Sequence, residues 1–439
     1  MRGNSREMGS RAQRYAMTIR KIALDILNKC ESAEQYSNIA LDTALRRISC
    51  SDADRGLLTA IVYGVIERRL TLDHWVSVLS DRASEKIDPE TRNLLRMGLY
   101  QLAYLDRIPD HAAVNETVSL AGKRTRGFVN AILRAFLRAN KKIELPDRTR
   151  APIAYLSVAY SFAPSICAEF VRVFGAERTE SLLSAFCHQP PLTLRVNTLR
   201  TSRDALLARL RADGIDAVET PESETGITLP GTPVSALPGF SEGDFFVQDE
   251  ASQLCVDALN ARADMTVIDA CACPGSKSFG AAIDMGNRGR VIACDLHANK
   301  LSLVRSGAER LGISILETEA RDARERNEAW VGQADRVLCD VPCSGFGVFA
   351  KKPELRYKDP AKSAALPDIQ LAILENACRY VKVGGLLVYS TCTLLPRENG
   401  ENVTRFLGGH AEFRLLRERT LYPDIDGTDG FYFAVLERI

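Results

Sequence analysis

The chain has 439 residues, of which 46% are hydrophobic and 26% charged, so it has the composition of a globular protein with more than one hydrophobic core. Residues 1–150 hold 26 basic and 18 acidic residues and the remainder holds 31 and 38, which favours contact of the first third with a polyanion, although solvated helix faces would explain the same charge. No run of 18 or more apolar residues occurs and the segment 1–15 is polar, so the sequence predicts neither a membrane span nor a secretory signal.

The first third of the chain predicts a tail followed by helices. Residues 1–11 are rich in Arg, Gly and Ser and predict a disordered tail. Apolar residues then recur at helical spacing, as between Ile19 and Cys30 and between Leu57 and Ile66. We therefore expect an all-helical domain over residues 12–145, followed by a linker within 141–152.

The middle of the chain changes from helices to short strands. Helical patterns at 166–174 and 182–186 precede a break at Pro190 and Pro191. The following segments predict a strand at 192–196, an amphipathic helix at 203–210 and two further strands at 226–229 and 245–247. Residues 155–245 are thus expected to form connector helices and a small α+β module.

Strands and helices alternate in the last part of the chain. Apolar runs at 266–268, 291–294, 336–339 and 386–389 each end in a polar or Gly/Pro loop, and helical patterns fill the gaps. This order predicts βαβ units and a parallel sheet. A late strand at 431–436 is expected to add antiparallel, and residues 246–439 form the predicted domain.

Two loops that follow predicted strands each carry a cysteine. Residues 340–345 read DVPCSG and residues 390–393 read STCT. If both strands belong to one parallel sheet, the thiols of Cys343 and Cys392 emerge at the same edge, where open α/β sheets bind ligands. Paired cysteines at such a crevice indicate covalent chemistry on a pyrimidine ring.

The loop after the first strand of this sheet has the features of a ligand site. Residues 269–277 read DACACPGSK and lead into a helix, and Asp295 ends the next strand. A glycine before a helix N-terminus lets a ligand approach free N–H groups, and an acidic residue at the second strand end typically binds ribose hydroxyls. The pattern favours a nucleoside cofactor, with a structural turn as the alternative. Cys271 and Cys273 are spaced C-x-C without further ligands, so no metal is expected.

Together these motifs resemble a known enzyme family. The loops at 269–277, 340–345 and 390–393, in this order and spacing, are similar to those of RNA cytosine-C5 methyltransferases that use S-adenosyl-L-methionine. Residues 107–116 and 127–134 resemble a NusB-like helical domain, and residues 246–253 resemble the segment before the methyltransferase core. The combination covers nearly the whole chain and is that of RsmB/Sun-type 16S ribosomal RNA methyltransferases.

The resemblance implies a fold and a reaction. The fold would be an all-α N-terminal NusB-like RNA-binding domain, a small α+β (RRM-like) middle module and a C-terminal α/β Rossmann-like class I methyltransferase domain. The reaction would methylate C5 of cytosine 967 in 16S ribosomal RNA through a covalent cysteine adduct at C6. Carbon 5 of cytosine is a poor nucleophile until a thiolate adds to C6, so this chemistry requires a cysteine.

The resemblance also assigns roles to the reacting side chains. By the family pattern, Cys392 attacks C6 and Cys343 assists release of the methylated base. DNA cytosine methyltransferases attack from a Pro-Cys loop equivalent to Pro342-Cys343, so the reversed assignment stays open. Asp340 would bind cytosine N3 and the exocyclic amine and also lie beside the cofactor.

The implied cofactor site combines the first loop with later strand ends. Asp322 would meet the adenine amine. Lys277 either points into the cleft, where it would orient the base or Asp340, or is a solvent lysine at a helix start. The family usually has Gly where this chain has Ser276, so an altered cofactor affinity is expected. The full predicted set is Cys271, Ala272, Cys273, Pro274, Gly275, Ser276, Lys277, Asp295, Asp322 and Asp340.

The expected partner is small-subunit ribosomal RNA, and neither DNA nor a membrane. A cytoplasmic monomer with free thiols is expected. Arg195 and Asn197 would touch RNA near the site, and Glu398 and Asn399 predict a helix start. Basic residues expected to anchor phosphates are Arg46, Arg47, Arg68, Arg69, Lys123, Arg124 and Arg126. Cysteines expected as small buried hydrophobes are Cys30, Cys50, Cys255, Cys294, Cys339 and Cys378.

Other functions stay open at this point. One is methylation of a cytosine in another ribosomal RNA or in tRNA, and a second is a DNA cytosine methyltransferase, which the NusB-like domain disfavours. The third is a non-catalytic RNA-binding assembly factor whose cofactor pocket has decayed at Ser276. Binding of S-adenosylmethionine separates the last from the enzymes.

Overall fold

The computed structural model of the protein describes residues 19–32, 37–48, 50–231 and 233–439. The tail predicted at 1–11 lies outside these residues. By contact the chain divides into two compact units, of which the first comprises the described residues from 19 to Cys187 with Lys352–Asp359 and the second the described residues of His188–Lys351 with Pro360–Ile439. The domain boundaries named above stay predictions.

The first unit is helical, as the apolar spacing predicts. Helix α7 (Arg126–Arg138) shows the pattern most clearly, because its residues Val129, Ile132, Leu133 and Phe136 recur at helical spacing and are all buried. Within the described residues no single helix has the length and apolarity to cross a membrane, and only the bent pair α8 and α9, taken together, passes that test. The helices are α1 (19–32), α2 (Ser37–Arg47), α3 (Asp52–Glu67), α4 (Arg69–Ser80), α5 (Pro89–Tyr104), α6 (Asp110–Leu120), α7 (Arg126–Arg138), α8 (Pro152–Tyr160), α9 (Pro164–Phe174) and α10 (Ala176–Ala185).

A short segment from much later in the chain completes this helical unit. Residues Pro353–Tyr357 form a 3-10 turn in which Arg356 is only 1% exposed and donates to the carbonyl of Glu67. The guanidinium of Arg69 lies 3.7 Å from the centre of the Tyr357 ring. Because this contact occupies Arg69, the side chain is a packing residue here and not the free phosphate anchor that the sequence predicts.

The second unit begins with a four-stranded antiparallel sheet in the order β2-β3-β1-β4. Three of its strands and the helix lie where the sequence predicts them. The two-residue strand β2 was not predicted because it is too short to show alternation. The elements are β1 (Leu192–Val196), α11 (Arg203–Ala212), β2 (Val218–Glu219), β3 (Gly226–Leu229) and β4 (Phe245–Val247).

The prediction that Arg195 and Asn197 touch RNA is wrong. Arg195 is 1% exposed, and its guanidinium donates to Asp257 at 3.0 Å and to Asp284 at 2.8 Å. Asn197 is fully buried and donates to the carbonyl of Gly243. Strand β1 is buried along nearly its whole length, so its polar residues serve packing between the module and the following helices.

A seven-stranded sheet follows, in the order β10-β11-β9-β8-β5-β6-β7. Strands β5 to β9 are parallel, and β11 and β10 add antiparallel at one edge, as predicted for β11. The elements are α12 (Glu250–Leu259), β5 (Thr266–Asp269), α13 (Ser276–Asp284), β6 (Arg290–Asp295), α14 (Leu301–Leu311), β7 (Leu316–Ala320), β8 (Ala334–Asp340), α15 (Leu366–Ala377), β9 (Val381–Thr391), α16 (Gly400–Gly409), β10 (Phe413–Leu421) and β11 (Phe431–Arg438).

Helices cover both faces of this sheet, which confirms the predicted Rossmann-like architecture. Alternate residues of each central strand enter opposite cores, so Val267 and Leu338 pack with α12 to α14, whereas Ile268 and Val337 pack with α15 and α16. The chain runs outward from β5 to β7 and then returns to place β8 on the other side of β5. The carboxyl ends of β5 and β8 therefore border a topological switch point, where ligands bind in such sheets.

Candidate active site

The loop after β5 is held from both of its ends by one buried carboxyl group. Asp269 accepts the hydroxyl hydrogen of Ser278 at 2.6 Å through Oδ2 and the N–H of Cys271 at 3.4 Å through Oδ1. Burial raises the pKa of Asp269 to about 7. Gly275 has φ of +114°, and a Cβ there would lie 2.6 Å from the ring of Phe279, so the turn requires glycine.

The predicted cofactor residues line the edge that this loop opens. Helix α13 begins at Ser276 without a side-chain cap, and Asp295 is partly exposed at the end of β6. Asp322 lies two residues beyond β7, where hydrogen bonds from Arg324 lower its pKa to about 2. An uncapped helix start flanked by carboxylates suits the polar groups of a nucleoside with an amino-acid tail, so the residues present fit S-adenosylmethionine.

Lys277 points into the cleft, which excludes the alternative of a solvent lysine. It is 8% exposed, and its Nζ lies 2.7 Å from Oδ2 of Asp340. Burial alone would lower the pKa of Lys277, but the Asp340 carboxylate outweighs burial and raises it above its ordinary value. Ser390, which pairs with Asp340 across β8 and β9, donates to Oδ1 at 2.9 Å. Asp340 is thus oriented through both of its oxygens.

The two cysteines that the sequence placed at one sheet edge are in contact. The Sγ atoms of Cys343 and Cys392 lie 3.1 Å apart although 49 residues separate them in the chain. The hydrogen bond between the thiols, then burial, then the charges of Cys392 and Glu398 raise the pKa of Cys343 well above its ordinary value. Both side chains remain partly exposed. The pair can therefore be reached by a substrate.

Backbone contacts fix the two cysteine loops against each other. Gly347 donates its N–H to the carbonyl of Cys392 at 3.0 Å, and Gly430 donates to the carbonyl of Gly347 at 2.8 Å. A Cβ on Gly347 would overlap the carbonyl oxygen of Gly430, so only glycine allows this approach. The hydroxyls of Ser344 and Thr393 add a 2.8 Å hydrogen bond between the loops.

A second layer of buried polar side chains surrounds these loops and is not predicted by the sequence. Helix α16 begins after Asn399 as predicted, but Glu398 and Asn399 do not cap it. Glu398 is fully buried and accepts the N–H of Ser344, while Asn399 donates to the carbonyl of Thr393. The only sequence signal was a Glu-Asn pair close after Cys392, a pattern that a helix start explains equally well.

The remaining cysteines behave mostly as predicted. Cys255, Cys294, Cys339 and Cys378 are buried, whereas Cys30 and Cys50 are partly exposed beside the core of the helical unit. In the parts of the chain that the structure describes, no group of three or more His, Cys, Asp or Glu side chains is placed to hold a metal ion.

Comparison with known proteins gives the family. Models of three families match in chain order: the NusB family over residues 17–138, a ferredoxin-like domain of RsmF/B-like methyltransferases over 166–235, and 16S rRNA methyltransferase RsmB/F over 256–437. A probable ribosomal RNA small subunit methyltransferase B of Bacillus subtilis (strain 168) is 36% identical over 96% of this chain and 99% of its own length. The chain belongs to the RsmB/F family of 16S rRNA methyltransferases.

Other RsmB/F relatives and a solved structure agree with this membership. The ribosomal RNA small subunit methyltransferase B of Pseudomonas putida (strain KT2440) is 34% identical over 93% of this chain and 95% of its own. The crystal structure of PH0851 superposes with a TM-score of 0.79 at 25% identity and covers 96% of this chain and 99% of that one. The protein is an RNA methyltransferase that uses S-adenosylmethionine, with the NusB-like, ferredoxin-like and methyltransferase folds that the sequence predicts.

Proposed function

We propose that this RsmB/F family member methylates C5 of cytosine 967 in 16S ribosomal RNA, and that Cys392 forms a covalent adduct with C6 of that base. The observation that carries the proposal is the 3.1 Å contact between the Sγ atoms of Cys343 and Cys392 beside Asp340. Relatives named as small-subunit ribosomal RNA methyltransferases support the choice of RNA.

The charges around the two thiols support Cys392 as the nucleophile. A raised pKa keeps Cys343 protonated at neutral pH, so in a pair that has lost one proton Cys343 donates and Cys392 accepts. The ammonium group of Lys277 interacts favourably with a thiolate at Cys392. Cys392 is therefore the sulfur whose ionised form is stabilised, and Cys343 is the proton carrier.

The reaction on the cytosine ring then proceeds through addition of the thiolate, methyl transfer and elimination. The Cys392 thiolate forms a bond to C6, and the π electrons of the C5–C6 double bond move to C5. C5 would take the methyl group that S-adenosylmethionine supplies when bound, with S-adenosylhomocysteine as the leaving group. A base then removes the proton at C5, and these electrons restore the double bond as the sulfur–C6 bond breaks. Asp340, oriented by Lys277 and Ser390, would hydrogen-bond N3 and the exocyclic amine during addition.

The cofactor residues divide by the part of the ligand they would hold. Asp295 would bind the ribose hydroxyls and Asp322 the adenine amine. The loop 271–277 and the start of α13 would hold the amino-acid end, where the N–H groups favour a carboxylate.

The target base must leave its stack to reach Cys392, which favours an unpaired nucleotide in folded RNA. Five of the seven predicted phosphate anchors are exposed in the helical unit: Arg46, Arg47, Lys123, Arg124 and Arg126. Their charges would bind the RNA backbone, so affinity should fall steeply with salt.

The test is methyl transfer to a 16S ribosomal RNA transcript, with the product mapped by bisulfite sequencing. The intact protein should protect cytosine 967 from conversion, and Cys392→Ala should leave it convertible while RNA binding stays within about twofold. Protection of a different cytosine would overturn the target, and methylation by Cys392→Ala would overturn the nucleophile.

A further inference from the structure

The two peptide groups on either side of Cys343 are each held by a buried side chain. Gln370 of α15 donates from Nε2 to the carbonyl of Pro342 at 3.0 Å. Glu398 accepts the N–H of Ser344 at 2.9 Å through Oε2. The same Nε2 of Gln370 donates to Oε2 of Glu398 at 2.9 Å, so the two holding groups are themselves joined. Both are fully buried.

Glu398 also belongs to the segment that carries the other thiol. It lies six residues after Cys392, and its own carbonyl accepts the hydroxyl hydrogen of Tyr389 at 2.6 Å, at the end of β9. Moving Glu398 would therefore move the Cys343 loop relative to the Cys392 loop. A displacement of about 1 Å in a reacting group is enough to cost about 100-fold in rate.

The hydrogen bonds that hold the Cys343 loop do not by themselves require a carboxyl group at Glu398. A neutral glutamine would accept the same two hydrogen bonds through its amide oxygen. The second carboxyl oxygen, Oε1, is buried and has no hydrogen-bond partner among the described residues. An acidic side chain in this position is one of the causes that raise the pKa of Cys343, after the hydrogen bond to Cys392, burial and the charge of Cys392.

We propose that Glu398 is a positioning residue for the two-thiol reaction, fixing Cys343 against Cys392 and biasing the proton of the pair onto Cys343. This inference rests on the proposed function, because it concerns the division of roles between the same two thiols. The titratable groups that face Cys343 are Cys392 and Tyr389 on the β9 side and Glu398 itself, and Lys277 faces Cys392. Of these only Glu398 combines a negative charge with a hydrogen bond to the Cys343 loop.

Three variants of the full-length chain separate geometry from charge. Glu398→Ala removes both, and Glu398→Gln keeps the hydrogen bonds but removes the charge. Glu401→Gln is the matched control, because Glu401 is exposed on the next helix turn. We expect Glu398→Ala to lower the single-turnover rate about 100-fold with the KM for RNA changed less than about threefold. Glu398→Gln should recover to within about tenfold of the parent, and Glu401→Gln should match the parent.

A second measurement follows the ionisation of the Cys343 thiol and needs no RNA. In a Cys392→Ser background, alkylation of Cys343 by iodoacetamide is followed against pH by mass spectrometry of its peptide. Replacing Glu398 by Gln should move the midpoint to lower pH by about one unit, because a neighbouring negative charge disfavours a thiolate. An unchanged midpoint, or a parental rate in Glu398→Ala, would overturn the proposal. If the intact protein transfers no methyl group at all, the proposed function fails while the alkylation result still stands for Glu398.

Discussion

Two clusters of buried charged side chains in the second unit resemble each other in charge and burial but differ in their surroundings. Lys277 and Asp340 meet at 2.7 Å at the carboxyl end of the parallel sheet, beside the thiols. Arg195 meets Asp257 and Asp284 at 3.0 Å and 2.8 Å between the small module and helices α12 and α13. The first cluster touches a partly exposed crevice, and the second joins packed elements.

Position at the sheet edge therefore decides function, whereas a buried charge by itself does not. Asp340 has a second oxygen held by Ser390 and lies beside the topological switch point. Asp257 and Asp284 have pKa values raised by burial, and their common partner is the Arg195 guanidinium. The Arg195 cluster is therefore expected to contribute stability, and the Lys277 cluster rate.

Replacing Lys277 should produce the larger loss of activity. Lys277→Met removes the cation that orients Asp340 and attracts a thiolate at Cys392, so we expect the single-turnover rate to fall roughly 100- to 1000-fold. The matched control is Lys382→Met, because Lys382 of β9 pairs with Asp335 of β8 at 2.8 Å, at the end of β8 opposite to Asp340. A rate for Lys277→Met equal to that of the control would remove the distinction between the clusters.

Replacing Arg195 should instead lower stability. Arg195→Met leaves Asp257 and Asp284 without their partner, and breaking such a cluster costs about 2–4 kcal/mol when the carboxylates retain some exposure. A melting temperature lower by about 5–12 °C is expected, measured by scanning calorimetry, with the rate per folded molecule unchanged. A large rate loss without a change in melting temperature would show that the middle module acts in catalysis.

The buried Asp269 predicts a pH effect that separates the cofactor loop from surface carboxylates. Because its pKa is raised from 3.8 to about 7, the folded state keeps a proton that the unfolded state loses, and stability from this group falls as pH rises from about 4 to 7. Asp269→Asn has no ionisable group at this position, so its stability does not show this fall with pH. Between pH 5 and 8 the variant should therefore gain about 2.7 kcal/mol relative to the parent, from about two pH units at 1.36 kcal/mol each.

The control for this effect is Asp335→Asn. The pKa of Asp335 is lowered below 3.8, so its stabilisation is complete above that value and shows no trend between pH 5 and 8. Melting temperatures of both variants and the parent at the two pH values provide the comparison. Parallel behaviour of the two variants would mean that Asp269 is ionised in the folded protein.

The strand ends of the catalytic sheet were predictable because the apolar runs and the polar loops that follow them indicate the same ends. Apolar runs ending in Asp340 and in Ser390 predicted two parallel strands, and parallel strands bring their carboxyl ends to one edge. That argument placed Cys343 beside Cys392 without any knowledge of distance. The roles of the two thiols came from family resemblance, since spacing alone does not tell which sulfur ionises.

Other features lay beyond what the sequence could show. Glu398 and Gln370 bind backbone groups of a distant loop, and a contact of that kind leaves no periodic signal. Arg195 looked exposed because arginine is rarely buried, but its strand is covered on both sides. Strand β10 was missed because its charged residues face solvent at the sheet edge.

The most direct test of the account is trapping of the covalent intermediate. Full-length Cys343→Ala, incubated with a 16S ribosomal RNA transcript and S-adenosylmethionine, should accumulate a protein–RNA adduct that survives denaturing electrophoresis, because release of the methylated base is slowed. Mass spectrometry should locate the nucleotide on Cys392. An adduct on any other residue, or free product released at the parental rate, would contradict the assignment of the two thiols.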